Sequence, residues 1–67
     1  MPVIHVHMLG GASHEQKAQI AKEFTDTLVR VLGSNPQMTH IILDEQNPEN
    51  WANAGELISD RRAKQKA

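Results

Sequence analysis

Positions 3–9 alternate with a period of two. Ile4, Val6 and Met8 fall on one side and Val3, His5, His7 and Leu9 on the other. This predicts a β-strand with one apolar face and one mixed face. Gly10 and Gly11 end it, and the period then changes to that of a helix. Ile20, Ala21, Phe24, Leu28, Val31 and Leu32 form one apolar stripe, with Gln19, Lys22, Glu23, Asp26 and Arg30 opposite. Ser13 is suited to cap that helix and Gln16 to complete a capping box, while Glu15 places negative charge in the first turn. Gly33 stands where a left-handed C-terminal residue belongs, with Pro36 soon after. After a loop at 34–37, the β-branched run 38–43 reads as a second strand that closes at Asp44 and Glu45. The fold class is α/β: a β-α-β unit with two parallel strands, one long helix and a right-handed crossover.

Residues 46–67 are less regular. Asn47-Pro48 signals a turn, and Trp51 is followed by Ala52, Asn53, Ala54 and Gly55. A loop with a short hairpin is predicted there, then a weakly ordered tail able to pack on a neighbour. The basic cluster Arg61, Arg62, Lys64 and Lys66 reads as a solvated terminus.

Sixty-seven residues make a single domain over 1–67 with a marginal core of its own. The helix covers one face of a two-stranded sheet, and two strands alone are too few for stability. Without cysteine, disulfides are excluded as the extra support. Other copies of the chain are therefore expected to supply the missing layer. A net charge of −1 gives no basic field for nucleic acid. The apolar run at 3–9 is too short for a membrane span and nothing reads as a signal peptide, so a cytoplasmic protein is expected, and the lack of cysteine fits a reducing compartment.

The residue with the most chemical promise is Pro2. Removal of Met1, which a small following residue permits, would leave a secondary amine at the terminus. An ordinary α-amino group titrates at about 7.7–8.0, and burial or a nearby cation lowers that value. A neutral amine suits proton abstraction beside a carbonyl. Taken alone, Pro2 reads equally as the start of an edge strand, where a missing N–H costs nothing. His5 and His7 share one strand face about 7 Å apart. A third ligand such as His40 or His14 would allow zinc, but no carboxylate or cysteine stands at a convincing spacing, so neither a metal nor a cofactor is expected. His14 is expected to lie exposed in the first helical turn.

The segments Pro2-Val3-Ile4-His5-Val6-His7-Met8-Leu9, Glu15-Gln16-Lys17, His40-Ile41-Ile42 and Asn50-Trp51-Ala52-Asn53-Ala54-Gly55-Glu56-Leu57 together resemble the 4-oxalocrotonate tautomerase family. The resemblance spans nearly the whole chain, and its specificity lies in the combination of short motifs. It implies β-α-β units paired into four-stranded sheets, commonly as a trimer of dimers, with sites built between subunits. A homo-hexamer is thus expected, with a dimer as the alternative. It also implies that Pro2 shuttles a proton between carbons of an enol or dienol acid.

Two arginines that the family often carries are replaced. One, after the glycine ending the first strand, is Ala12 here; the other, in the second strand, is His40. Trp51 fits the family's aromatic pocket wall, a position equally suited to a subunit interface. Arginine is permanently charged and forks onto carboxylates, whereas histidine does neither at neutral pH. A small keto–enol monocarboxylate is therefore expected as substrate rather than a dicarboxylate, unless Arg61 and Arg62 fold back to supply charge. The expected site comprises Pro2 as catalytic base, His40 assisting the carbonyl or carboxylate, Trp51 excluding water, and backbone N–H groups near Leu9 holding the substrate. Two alternatives stay open: hydration, dehalogenation or decarboxylation by a protonated Pro2, and a non-catalytic oligomeric binding protein on the same fold.

Overall fold

In the computed structural model, which describes residues 1–66, the two periods read from the sequence become two strands and a helix. Strand β1 spans Val3–Leu9, helix α1 His14–Leu32 and strand β2 His40–Gln46. The strands are parallel and in unbroken register, from Val3 beside His40 to Leu9 beside Gln46. The expected cap is present: the Ser13 hydroxyl accepts from the Gln16 N–H at 3.1 Å, and the Gln16 side chain accepts from the Ser13 N–H at 2.9 Å. Gly33 closes α1 at φ 68°, its N–H donating to the Val29 carbonyl at 2.9 Å. That left-handed conformation suits a residue without Cβ.

Four sequence expectations need correction. Met38 belongs to a 3₁₀ turn, Pro36–Met38, rather than to the second strand. Asp44 and Glu45 do not close that strand; β2 runs on to Gln46. Pairing with His7 and Met8 draws both acidic residues into the ladder, where Asp44 meets His7 and Glu45 meets Lys17 of α1. Residues beyond the hairpin form a second helix, α2, Ile58–Lys66, rather than a weakly ordered tail. The basic cluster is not simply solvated either, because Arg61 and Lys64 both bind Glu56. The side chain of Lys66 and all of Ala67 lie outside the described residues.

The hairpin joins β3, Ala52–Asn53, to the antiparallel β4, Glu56–Leu57. Its two turn residues, Ala54 and Gly55, both have positive φ, at 53° and 78°. This is the geometry that matches a two-residue turn to strand twist. A 3₁₀ turn at Pro48–Asn50 leads into it, and α2 packs on that turn and on β4. The Ile58 N–H donates to the Trp51 carbonyl at 2.8 Å, closing the arm on itself.

Helix α1 covers the sheet face that carries Ile4, Val6, Met8, Ile41 and Leu43, and Lys17 of α1 reaches Glu45 on that face at 2.8 Å. The opposite face carries Val3, His5, His7, Leu9, His40, Ile42, Asp44 and Gln46. None of the described residues covers it, and Ile42 is 46% exposed. The end of the predicted helix stripe is also bare: Val31 and Leu32 are about two-thirds exposed. At 1.5 Å per residue α1 is about 28 Å long, against roughly 23 Å for a seven-residue strand, so its last turn overhangs the sheet. None of the described residues is fully buried. The radius of gyration is 15.7 Å, whereas a compact chain of this length would have about 11 Å.

Candidate active site

Pro2 stands immediately before β1, half-buried, and its carbonyl accepts the His40 N–H at 3.0 Å. The parallel register causes this: with Val3 beside His40, the residue before β1 meets the first residue of β2. Two of the predicted site residues, distant in sequence, are thus neighbours at one end of the sheet. The His40 side chain lies on the open face and is exposed. Met1 is 77% exposed, on the outside of that end of the molecule.

The other two predicted site residues are not in this group. Leu9 ends β1, six residue steps from Val3, which at ~3.3 Å per step is about 20 Å away. Its neighbour Gly10 donates to the Gln46 carbonyl at 3.1 Å, fastening the far end of the sheet. Trp51 follows β2 on that far side and is half-buried in the arm. The molecule is 49 Å in its longest dimension, and no pocket is enclosed among the described residues. One chain supplies both halves of the expected site, but at opposite ends.

Arg61 does not fold back to replace the missing arginines. Its Nε donates to Glu56 Oε1 at 2.9 Å, and its guanidinium also donates to the Asn53 carbonyl at 3.0 Å. Lys64 completes the group on Glu56 Oε2 at 2.6 Å. Hydrogen bonds from Lys64 and then Arg61 hold the Glu56 carboxyl below the usual carboxylate range. These contacts brace the hairpin against α2. Ala12 is half-buried in the loop between β1 and α1, which turns at Gly11 with φ 124°, and brings no charge.

A cluster not foreseen from sequence occupies the open face. His5 Nε2 and His7 Nδ1 lie 3.5 Å and 3.0 Å from Asp44 Oδ2. The two imidazoles stack with centroids 4.4 Å apart, inclined by 18°. Neither His40 nor His14 joins them; the third polar group is a carboxylate, which sequence reading treated as the end of the strand. The register, which pairs residue n of β1 with n+37 of β2, sets His7 beside Asp44, and it exists only once the strands pair.

With this geometry in place, comparison with known proteins is informative. The family model described as "Tautomerase enzyme" matches residues 2–61. The Dickeya dadantii (strain 3937) protein named "Probable tautomerase K2" is 38% identical over 63 residues, covering 92% of this chain and 94% of its own. Among solved structures, a 4-oxalocrotonate tautomerase isozyme from Methylibium petroleiphilum superposes with a TM-score of 0.88 at 30% identity, covering 94% of this chain and 98% of its own. A heterohexamer 4-oxalocrotonate tautomerase from Chloroflexus aurantiacus gives 0.82 at 25% identity, covering 90% and 97%. The matched span begins at Pro2 and takes in the parallel unit, the hairpin and the start of α2. On that likeness of sequence and fold together, the chain belongs to the tautomerase family and is an isomerase of the 4-oxalocrotonate tautomerase type.

Proposed function

We propose that this enzyme ketonises a small 2-oxo or enol monocarboxylic acid, with Pro2 as general base once Met1 has been removed. The neutral Pro2 nitrogen takes the enol hydroxyl proton and becomes a secondary ammonium. The carbonyl forms as the enol double bond shifts toward the neighbouring carbon, and that carbon receives the proton back from nitrogen. Atoms and charge balance over the cycle, and no cofactor is required. His40 assists the substrate's carbonyl or carboxylate as a neutral or protonated imidazole. With Ala12 uncharged and Arg61 committed to Glu56 and Asn53, the site has little to offer a second carboxylate.

The observation that carries this reading is the placement of Pro2 against His40, through a 3.0 Å hydrogen bond, at the start of both parallel strands. The separation of this pair from Leu9 and Trp51 further supports a homo-oligomer, in which one copy brings its far end to the Pro2 end of another. A hexamer built as a trimer of dimers fits, as does the extended shape of the chain, and the hexameric Chloroflexus relative lends support. A cysteine-free composition suits action in the cytoplasm.

The test compares wild type, shown by mass spectrometry to lack Met1, with Pro2→Ala in ketonisation of an arylpyruvate enol. Loss of a general base lowers kcat/KM by about 10²–10⁴-fold. The wild-type rate should rise with pH as the amine loses its proton. Activity within tenfold of wild type in Pro2→Ala would sink the reading, and a rate that rises toward low pH would favour acid chemistry by a protonated Pro2.

A further inference from the structure

We propose that His5, His7 and Asp44 form a binding site for a divalent transition-metal ion, with Zn²⁺ the leading candidate, on the open face of the sheet. The donor set is two imidazoles and one carboxylate, a combination suited to Zn²⁺ and other borderline first-row cations. All three donor atoms lie within 4.8 Å of one another. An ion with bonds of about 2.0–2.1 Å holds tetrahedral neighbours roughly 3.4 Å apart. The two carboxylate–imidazole edges, 3.5 and 3.0 Å, already match that spacing. The edge between the imidazoles, at most 4.8 Å, has to shorten, and the rings, stacked at 18°, have to turn out of the stack so that both nitrogen lone pairs aim at one ion. The histidine side chains are 48% and 61% exposed, which leaves room for the rotation this needs.

The surroundings favour a cation. The Gln46 side-chain amide donates at 3.0 Å to Asp44 Oδ2, the same oxygen that the two imidazoles face, and holds the carboxylate in place as outer-shell partners do in metal sites. Glu45 and Glu56 each have a lysine against them, whereas the ion-pair partners of Asp44 among the described residues are the two histidines. Metal binding uses the neutral form of each imidazole, so it should weaken as pH falls. If copies of the chain cover this face, the Asp44 charge leaves water, and an isolated buried carboxylate is costly. A bound cation removes that cost and leaves one coordination position for water or a group from another copy.

Equilibrium dialysis of chelator-stripped protein against Zn²⁺, with elemental analysis, tests this. About one ion per chain is expected, with a Kd of about 10 μM or tighter, in the range of a modest specific site. His7→Gln and Asp44→Asn should each weaken binding by about tenfold or more, while His14→Gln leaves it unchanged. Co²⁺ loaded in place of Zn²⁺ should show the visible absorption of a low-symmetry site, lost in His7→Gln. If one variant misfolds by circular dichroism, His5→Gln supplies the same comparison. Fewer than about one ion per five chains at ~100 μM free Zn²⁺, or binding that survives both His7→Gln and Asp44→Asn, overturns the proposal. Binding is read without turnover, so its failure leaves the Pro2 reading standing, and the reverse holds too.

Discussion

The two faces of the β1–β2 sheet are built from the same strands and have opposite characters. On the helix side Ile4, Val6, Met8, Ile41 and Leu43 are apolar without interruption, and the single charged residue, Glu45, is matched by Lys17 at 2.8 Å. The open side mixes Val3, Leu9 and Ile42 with three histidines, Asp44 and Gln46. Each side chain on the covered face has a partner within the chain. The open face holds apolar groups that none of the described residues covers, beside polar groups that partner one another. The covered face belongs to the fold, and the open face is where the proposed assembly and metal binding would act.

The strongest way to break this contrast is a charge in the middle of the open face. Ile42→Glu should leave no clash within one chain, yet native mass spectrometry at micromolar concentration should show smaller species than wild type. If the variant keeps the wild-type mass and melting temperature, the open face is not a joint between copies. On the covered face, Leu43→Ala should instead cost about 2 kcal/mol in urea unfolding, the low end for leucine truncation because Leu43 is only half-buried. Both changes would destabilise an obligate oligomer, but only Ile42→Glu should make the loss strongly dependent on protein concentration. Ser13→Ala removes the capping hydroxyl from Gln16 and should cost about 1 kcal/mol, independent of assembly.

The smallest effect expected is in pH dependence. The Lys17 hydrogen bond holds Glu45 below its ordinary value of 4.5, as Lys64 and Arg61 hold Glu56. Folded carboxyls of this kind bind protons less readily than unfolded ones. Their contribution is therefore complete above 4.5 and lost as pH falls through the lower folded values. Because both pairs face water, the effect is modest. In thermal melts, Lys17→Met should lie below wild type at neutral pH, with the gap narrowing under acid. A gap unchanged down to about pH 3 would show that the Glu45 pair contributes nothing to folding.

Much of the fold was legible in the chain because its signals are local. Period-two alternation located β1, and Ser13, Gln16 and Gly33 bounded α1 through hydrogen bonds that span three or four residues. The parallel pairing followed from connectivity, since a helix between two strands leaves little choice. The end of β2 was misjudged because acidic residues usually stop strands. Asp44 and Glu45 continue this one because His7 and Lys17, far away along the chain, bind them. Helix α2 was missed for the same reason: its contacts to the Pro48–Asn50 turn and to Glu56 organise a stretch with little apolar periodicity.

The candidate site divides along the same line. The sequence by itself determined the β-α-β order, the caps, the two strand faces and the presence of Pro2 at the head of β1, because each depends on neighbours within a helical turn or a strand period. Only the tertiary structure decided that His40 meets Pro2, that Arg61 is occupied in the arm, and that Asp44 reaches both His5 and His7. It also decided that Leu9 and Trp51 lie at the far end from Pro2. These are relations of register and distance between strands, and no residue carries them until the strands pair.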